Sequence, residues 1–390
     1  MHCTMDAALR HASTPAYAAV PLATPPRIWP CLLLSVVLVA GDALLTLWWF
    51  SQGTPSTAQR EQFWWYALLP GCLLAGIAVS LRLAWYALWQ LYAAVQQHTQ
   101  AEHHAWWLRC RQESASVRDS MLWGPACSDT PSRDKLARGL HAAPPQAKEG
   151  VLRMADVLTL ADATWQQRQD AILAKLAKTL ATWLHGSRMQ ACGFAWCGSA
   201  AAWSALRVQM QQYGLHLPPH PQLEGSVAML EYIIDRLHDE TRPVATIICL
   251  GLHCPASDVS RSLPAAEAAF AIMLGCDGGA FRLHRPVPLS DSQHVQRAQD
   301  NAALDEAPAA YLSASSQSNT WLEEASWSLQ EQAQQAYWGD LGPLQAWITL
   351  LRAMDQANIN ERATGWLAKD SQQDWLGIIT PAVPLTKGKP

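Results

Sequence analysis

The sequence predicts a membrane-anchored protein with an N-terminal transmembrane α-helical hairpin followed by a mixed α/β domain. Three observations carry this. Two long apolar segments, Ile28–Phe50 and Trp64–Trp89, stand near the N-terminus. A stretch dense in Gly and Pro follows them. Beyond it, apolar runs alternate between helical and strand-like periods.

Composition agrees with an anchored chain. Of 390 residues, 50% are hydrophobic and 15% charged, a low charge content for a fully soluble protein. The net charge of -4, without a basic run, excludes the electrostatic footprint of a nucleic-acid binder. The 10 cysteines are scattered, which suits a reducing compartment and not a disulfide framework.

Each apolar segment is long enough to cross a hydrocarbon core of ~30 Å at ~1.5 Å per residue. Trp48, Trp49, Phe63, Trp64, Trp65, Trp85, Tyr86 and Trp89 cluster at their ends, where amphipathic rings favour the headgroup level. Arg10 and Arg27 precede the first segment. Arg82, Arg109, Arg111 and Arg118 lie at or after the end of the second, and the connecting loop carries only Arg60. The positive-inside rule then places both termini in the cytoplasm, with the hairpin in a bacterial inner membrane. The expected organisation is a cytoplasmic tail 1–27, spans 28–50 and 64–89, a juxtamembrane helix 90–120, a linker 121–150 and a cytoplasmic domain 151–390.

Four residues of the hairpin are singled out. Arg82 is near the cytoplasmic end of its helix and can snorkel to the headgroups. Asp42 lies at a different depth, level with Pro70–Ala75. Pro70 cannot close the usual bond to the Tyr66 carbonyl, so a protonated Asp42 is expected to donate to it. Gly71 and Gly76 offer the close approach that packed membrane helices use. Asp42 either locks this hairpin or faces another membrane subunit.

In the domain, Thr164–His185 has apolar residues at helical spacing and closes on Gly186. Met189–Cys197 is strand-like. Ala200–Tyr213 and Ser226–Asp239 are helical, and Val244–Leu252 has the composition of a buried strand. EAAFAIMLG and FRLHRPV flank Cys276–Gly279, a hairpin signal, and GWLAKD and DWLGIITP form a second candidate hairpin. Within Ser262–Gly275, alternation puts Ala266, Ala268, Phe270, Ile272 and Leu274 on one face. Glu267, Ala269, Ala271 and Met273 fall on the other.

The order helix, buried strand, loop, then Leu263-Pro264-Ala265-Ala266-Glu267 resembles the middle of the thiolase-like fold of ketoacyl synthases. Trp338–Met354 is similar to that family's glycine turn and helix, and Trp366–Thr380 to its last two strands. The whole architecture also resembles proteins encoded beside type VI secretion genes. The resemblance implies a nucleophilic cysteine at Pro221–Gly225 and a histidine near Gly339–Gly342, and neither stretch contains one. It therefore implies a catalytically empty, degenerate thiolase-like domain acting as an adaptor or scaffold for a protein partner. Two alternatives stay open. One is a membrane-bound acyltransferase with a relocated nucleophile, Cys192 or Cys254 with His216 or His253. The other is a structural subunit of a membrane complex.

No metal or cofactor is expected. Cys192/Cys197 and Cys249/Cys254 have a C-x4-C spacing, but residues five apart on a strand point to opposite faces. His98, His103 and His104 lack the i, i+4 pairing of a helical zinc site. His216 and His220 fall in a Pro-rich loop.

Overall fold

The computed structural model describes residues 28–52, 57–141, 144, 150–154, 156–157, 164–184, 192–239, 244–256, 264–312, 319–331, 337–370 and 373–382. The chain divides into two units, Met1–Trp107 and Leu108–Pro390.

The first unit holds helix α1, Ile28–Ser51, and helix α2, Thr57–Gln112, which begins here and runs into the second unit. Among the described residues one helix, within Leu69–Gln112, is long and apolar enough to cross a membrane; the apolar stretch of α1, Leu33–Trp49, is shorter. Arg10 and Arg27, used above for orientation, lie outside the described residues.

The second unit is a mixed sheet covered by helices. Its strands are β1 Ser114–Trp123, β2 Val151–Leu152, β3 Cys192–Cys197, β4 Leu223–Glu224, β5 Thr246–His253, β6 Ala265–Ala266 and β7 Ala268–Gly275. Then come β8 Phe281–His284, β9 Val287–Pro288, β10 Ala309–Leu312, β11 Ser328–Glu331, β12 Thr364–Asp370 and β13 Gln373–Pro381. The main sheet runs β11-β10-β12-β13-β8-β1-β7-β5-β3-β4, with β9 on β13, and β2 pairs β6 separately. The helices are α3 Thr130–Ala137, α4 Trp165–Leu184, α5 Ala200–Gln211, α6 Leu230–Leu237, α7 Ser292–Asn301, α8 Asn319–Glu324 and α9 Gln345–Asn360.

Three cores follow from the two faces of this sheet. A central core joins Ile247 and Phe270 of one half to Tyr311, Trp366 and Ile379 of the other, through α6 and α9. An outer core lies under α4 and α5, and another under α7 and α8. The alternation in β7 holds: Ala268, Phe270, Ile272 and Leu274 enter the central core, Ala269 and Ala271 the outer one. A strand buried on both faces tolerates no polar side chain without a partner. Glu267 accordingly interrupts the strand, and its fully buried carboxylate accepts from Arg168, Arg153 and the Met154 amide.

Two expectations are corrected. The folded unit starts at Leu108 and not at 151, because β1 lies across the stretches assigned to a juxtamembrane helix and a linker. Gly124 and Pro125 there lie in a turn of the fold, with Gly124 and Cys127 bonded backbone to backbone. The Cys276–Gly279 hairpin does not form either. β1 pairs antiparallel with both β7 and β8, so the chain crosses over β1 at this turn. The terminal hairpin does form, with Asp370 opposite Gln373.

Candidate functional site

Pro221–Gly225, the stretch to which the resemblance assigns a nucleophile, runs through β4 to the start of the turn into α6. Gly225 is pressed against β3: a Cβ there would stand 2.3 Å from the Cys197 backbone nitrogen. Ser226 caps the turn, its hydroxyl accepting from the Ala228 amide. The helix N-terminus points free amides outward, an arrangement that attracts an anion. Here the anion is internal. Asp370 Oδ2 accepts from Ser226 Oγ at 2.6 Å and from the Val227 amide at 2.9 Å. The Trp347 indole donates to the Gly225 carbonyl and stacks on Phe270 with centroids 5.3 Å apart; both rings are fully buried.

The second motif turn is equally committed. Asp340 Oδ1 accepts from the Gly342 amide at 2.9 Å, and the Asp340 backbone bonds Pro264 and Ala266. The geometry therefore brings a hydroxyl, two carboxylates and an indole to the two stretches Pro221–Gly225 and Gly339–Gly342. Neither stretch contains a cysteine or histidine of its own, but the fold packs Cys197 against Gly225, its thiol donating to the Pro343 carbonyl at 3.5 Å, and the His253 ring against Gly342.

The two thiols offered as relocated nucleophiles, Cys192 and Cys254, are not activated: burial raises Cys192, and burial pushes Cys254 up to about 12, with Glu267 adding to the rise. Burial also pushes Cys197 up to about 12, with Asp370 adding to it, and raises Cys249. A thiol held above its ordinary value carries little thiolate at neutral pH. Each C-x4-C pair is split between two cores: Cys197 and Cys249 face the central one, Cys192 and Cys254 the outer one. Among the described residues no group of three or more His, Cys, Asp or Glu side chains could hold a metal. His98, His103, His104, His216 and His220 are exposed.

In the first unit, Asp42 meets Gly71. Its Oδ2 accepts from the Gly71 amide at 2.8 Å. The described partner is thus the amide next to Pro70, towards which Asp42 acts as an acceptor. A Cβ on Gly71 would stand 3.0 Å from the Val39 Cα, a true close approach, whereas one on Gly76 would meet nothing within 4 Å. Arg82 is exposed on α2.

The Asp370 cap and the Trp347 bond were not foreseen. An acidic residue before a two-residue hairpin loop carries no local sign of a partner far along the chain.

No protein-family model and no curated protein matches the chain. Solved structures do. The ketosynthase from module 6 of the bacillaene synthase of Bacillus subtilis 168 superposes with a TM-score of 0.50 at 8% identity, over 70% of this chain and 71% of that one. The ketosynthase from module 1 of the bacillaene synthase of Bacillus amyloliquefaciens FZB42 gives 0.48 at 9% identity, over 70% and 77%. At such identity the likeness is one of fold. The mixed α/β domain has the ketosynthase-like, thiolase-like fold.

Proposed function

We propose that this chain is a two-pass inner-membrane protein with both termini cytoplasmic, whose ketosynthase-like domain is non-catalytic and binds a protein partner. One observation carries the reading. The helix terminus that would activate a nucleophile is occupied by Asp370, and the thiol packed beside it, Cys197, is pushed up by burial and by that carboxylate. A carboxylate there repels the oxyanion that acyl transfer must stabilise. The exposed apolar residues of α1 and α2, Leu33, Val37, Leu44, Trp49, Leu73 and Leu81 among them, support the anchor. The resemblance to chains encoded beside type VI secretion genes supports a component of such an assembly as the partner.

The test of inactivity is a set of single changes. Cys192→Ala, Cys197→Ala, Cys249→Ala and Cys254→Ala each leave cellular function intact, and a thiol-reactive acyl probe labels none of them saturably. Loss of function from one change alone, with circular dichroism unaltered, establishes a relocated nucleophile instead. The topology has its own test. A reporter active only in the periplasm works within Gly53–Ala58 and is silent after Pro390; the reverse pattern sinks the cytoplasmic assignment.

A further inference from the structure

Helix α2 stays apolar beyond the level at which its partner helix begins. The Asp42–Gly71 contact sets the register of the antiparallel pair. From Asp42 back to Ile28 is about fourteen residues, and the same rise along α2 from Gly71 reaches Trp85. On the membrane reading above, Ile28 and Trp85 mark one edge of a hydrocarbon core of ~30 Å, and the headgroup layer adds only ~6 Å on that side. Leu91 and Val95 lie ~9 and ~15 Å past Trp85. Lipid chains cannot cover them.

These two residues belong to a longer pattern. Leu74, Ile77, Leu81, Ala84, Leu88, Leu91 and Val95 are spaced three and four apart in alternation, the repeat of seven that brings one seam of a helix against another. The six large residues are exposed by 56%, 55%, 66%, 61%, 64% and 62% in that order, and Ala84 is exposed too. Gly71 and Ala75, the buried small residues beside α1, are not part of the seam.

The flanks of the seam match each other. One flank carries Ser80, Ala87 and Ala94, all small and exposed; the other carries Trp85, Tyr92 and Thr99. In a parallel two-stranded coil, each residue of the first flank faces the residue five further along on the other helix. Ser80 then meets Trp85 of the second copy, Ala87 meets Tyr92, and Ala94 meets Thr99. Every large ring finds a small neighbour, and no charge sits on either flank. Two copies inserted in one membrane share their orientation, so this parallel self-match is the arrangement the bilayer imposes.

We propose that two copies of the chain associate through a parallel coiled coil along α2 from Leu74 to Val95, which begins within the membrane and continues beyond it. The proposal rests on the membrane reading, and the experiment separates the two.

Full-length chains in native membranes, each with one residue from Tyr86 to Gln97 changed to cysteine, are oxidised and compared with the parent chain. Homodimer is expected to peak at Leu88→Cys, Leu91→Cys and Val95→Cys, and to stay at the parent level at Gln90→Cys and Gln97→Cys. Leu91→Glu lies outside the core, so it should remain in the carbonate-resistant membrane fraction while its dimer in mild detergent falls at least tenfold. A retained chain with no such periodicity, or with crosslinks to a different protein at those positions, overturns the self-association alone. Release of the parent chain by carbonate overturns the anchor and the seam together.

Discussion

Asp370 shows how one distant side chain completes the start of a helix. It satisfies a hydroxyl and an amide at the start of the turn into α6, the work of an N-cap supplied from elsewhere in the fold. Asp370→Ala is expected to destabilise the domain by about 1–2 kcal/mol, seen as a lower thermal midpoint. Asp370→Asn, whose amide oxygen still accepts, should cost less than the alanine change. His284 makes a second residue-scale prediction. Burial holds it down, from 6.5 to about 4, and its Nε2 lies 2.9 Å from Thr380 Oγ1. Its folded value lies below its unfolded one. Its contribution is therefore intact above pH 6.5 and is lost as pH falls towards 4, because the unfolded chain takes up the proton first. The loss is on the order of 2–3 kcal/mol at most. Denaturant titrations of His284→Gln and the parent from pH 7 to pH 4.5 should show a shallower decline for the variant. Parallel slopes would mean that other groups set the acid limit.

At the scale of elements, two contacts between segments illustrate opposite physics. α1 and α2 meet through a small residue and one polar bond. Asp42→Asn keeps an acceptor for the Gly71 amide and should leave the pair intact, while Asp42→Leu should loosen it by ~1 kcal/mol. Gly71→Leu has no such tolerance, since its Cβ would press on the Val39 backbone. Crosslinking between the two helices in membranes reads all three variants. If Asn and Leu both keep the pair but lose a co-purifying membrane protein, Asp42 faces another subunit. Elsewhere the contact is ionic and buried. Arg285, 1% exposed, donates to the Cys110 carbonyl at 3.0 Å and pairs with Glu113 at 2.9 Å and Asp235 at 2.7 Å. It thereby joins the segment entering β1 to α6 and β8. Arg285→Leu leaves carboxylates without their cation, a change that costs about 3–5 kcal/mol. Urea unfolding should show the fall, and an unaltered midpoint would show that the carboxylates find water or other partners.

The whole molecule depends on β1. This strand lies in the middle of the sheet and pairs β7 on one side and β8 on the other. A fragment beginning at Val151 lacks it and exposes two sets of unpaired strand groups together with apolar faces. Such a fragment should be recovered only as aggregate. A fragment from Leu108 retains β1 and α3, and should be soluble with cooperative unfolding. Soluble, cooperatively folded 151–390 would show that β7 and β8 can close without the strand between them.

The sequence alone determined what repeats locally. The helices α4 and α5 and the two faces of β7 follow from periods of 3.6 and 2 residues, which any short window displays. That Pro221–Gly225 holds no cysteine and Gly339–Gly342 no histidine was equally legible, because identity at a position needs no coordinates, whereas the packing of Cys197 on Gly225 and of His253 on Gly342 was not. Tertiary structure alone decided which segments meet. Ser114–Trp123 reads locally as a strand no better than as the end of a helix, and only its pairing with β7 and β8 makes it central. Asp370 reaches Ser226 across 144 residues, and Trp347 reaches Gly225 across 122. Hydrogen-bond partners at such separations are chosen by how the whole chain closes, so the local pattern around either residue does not encode the other.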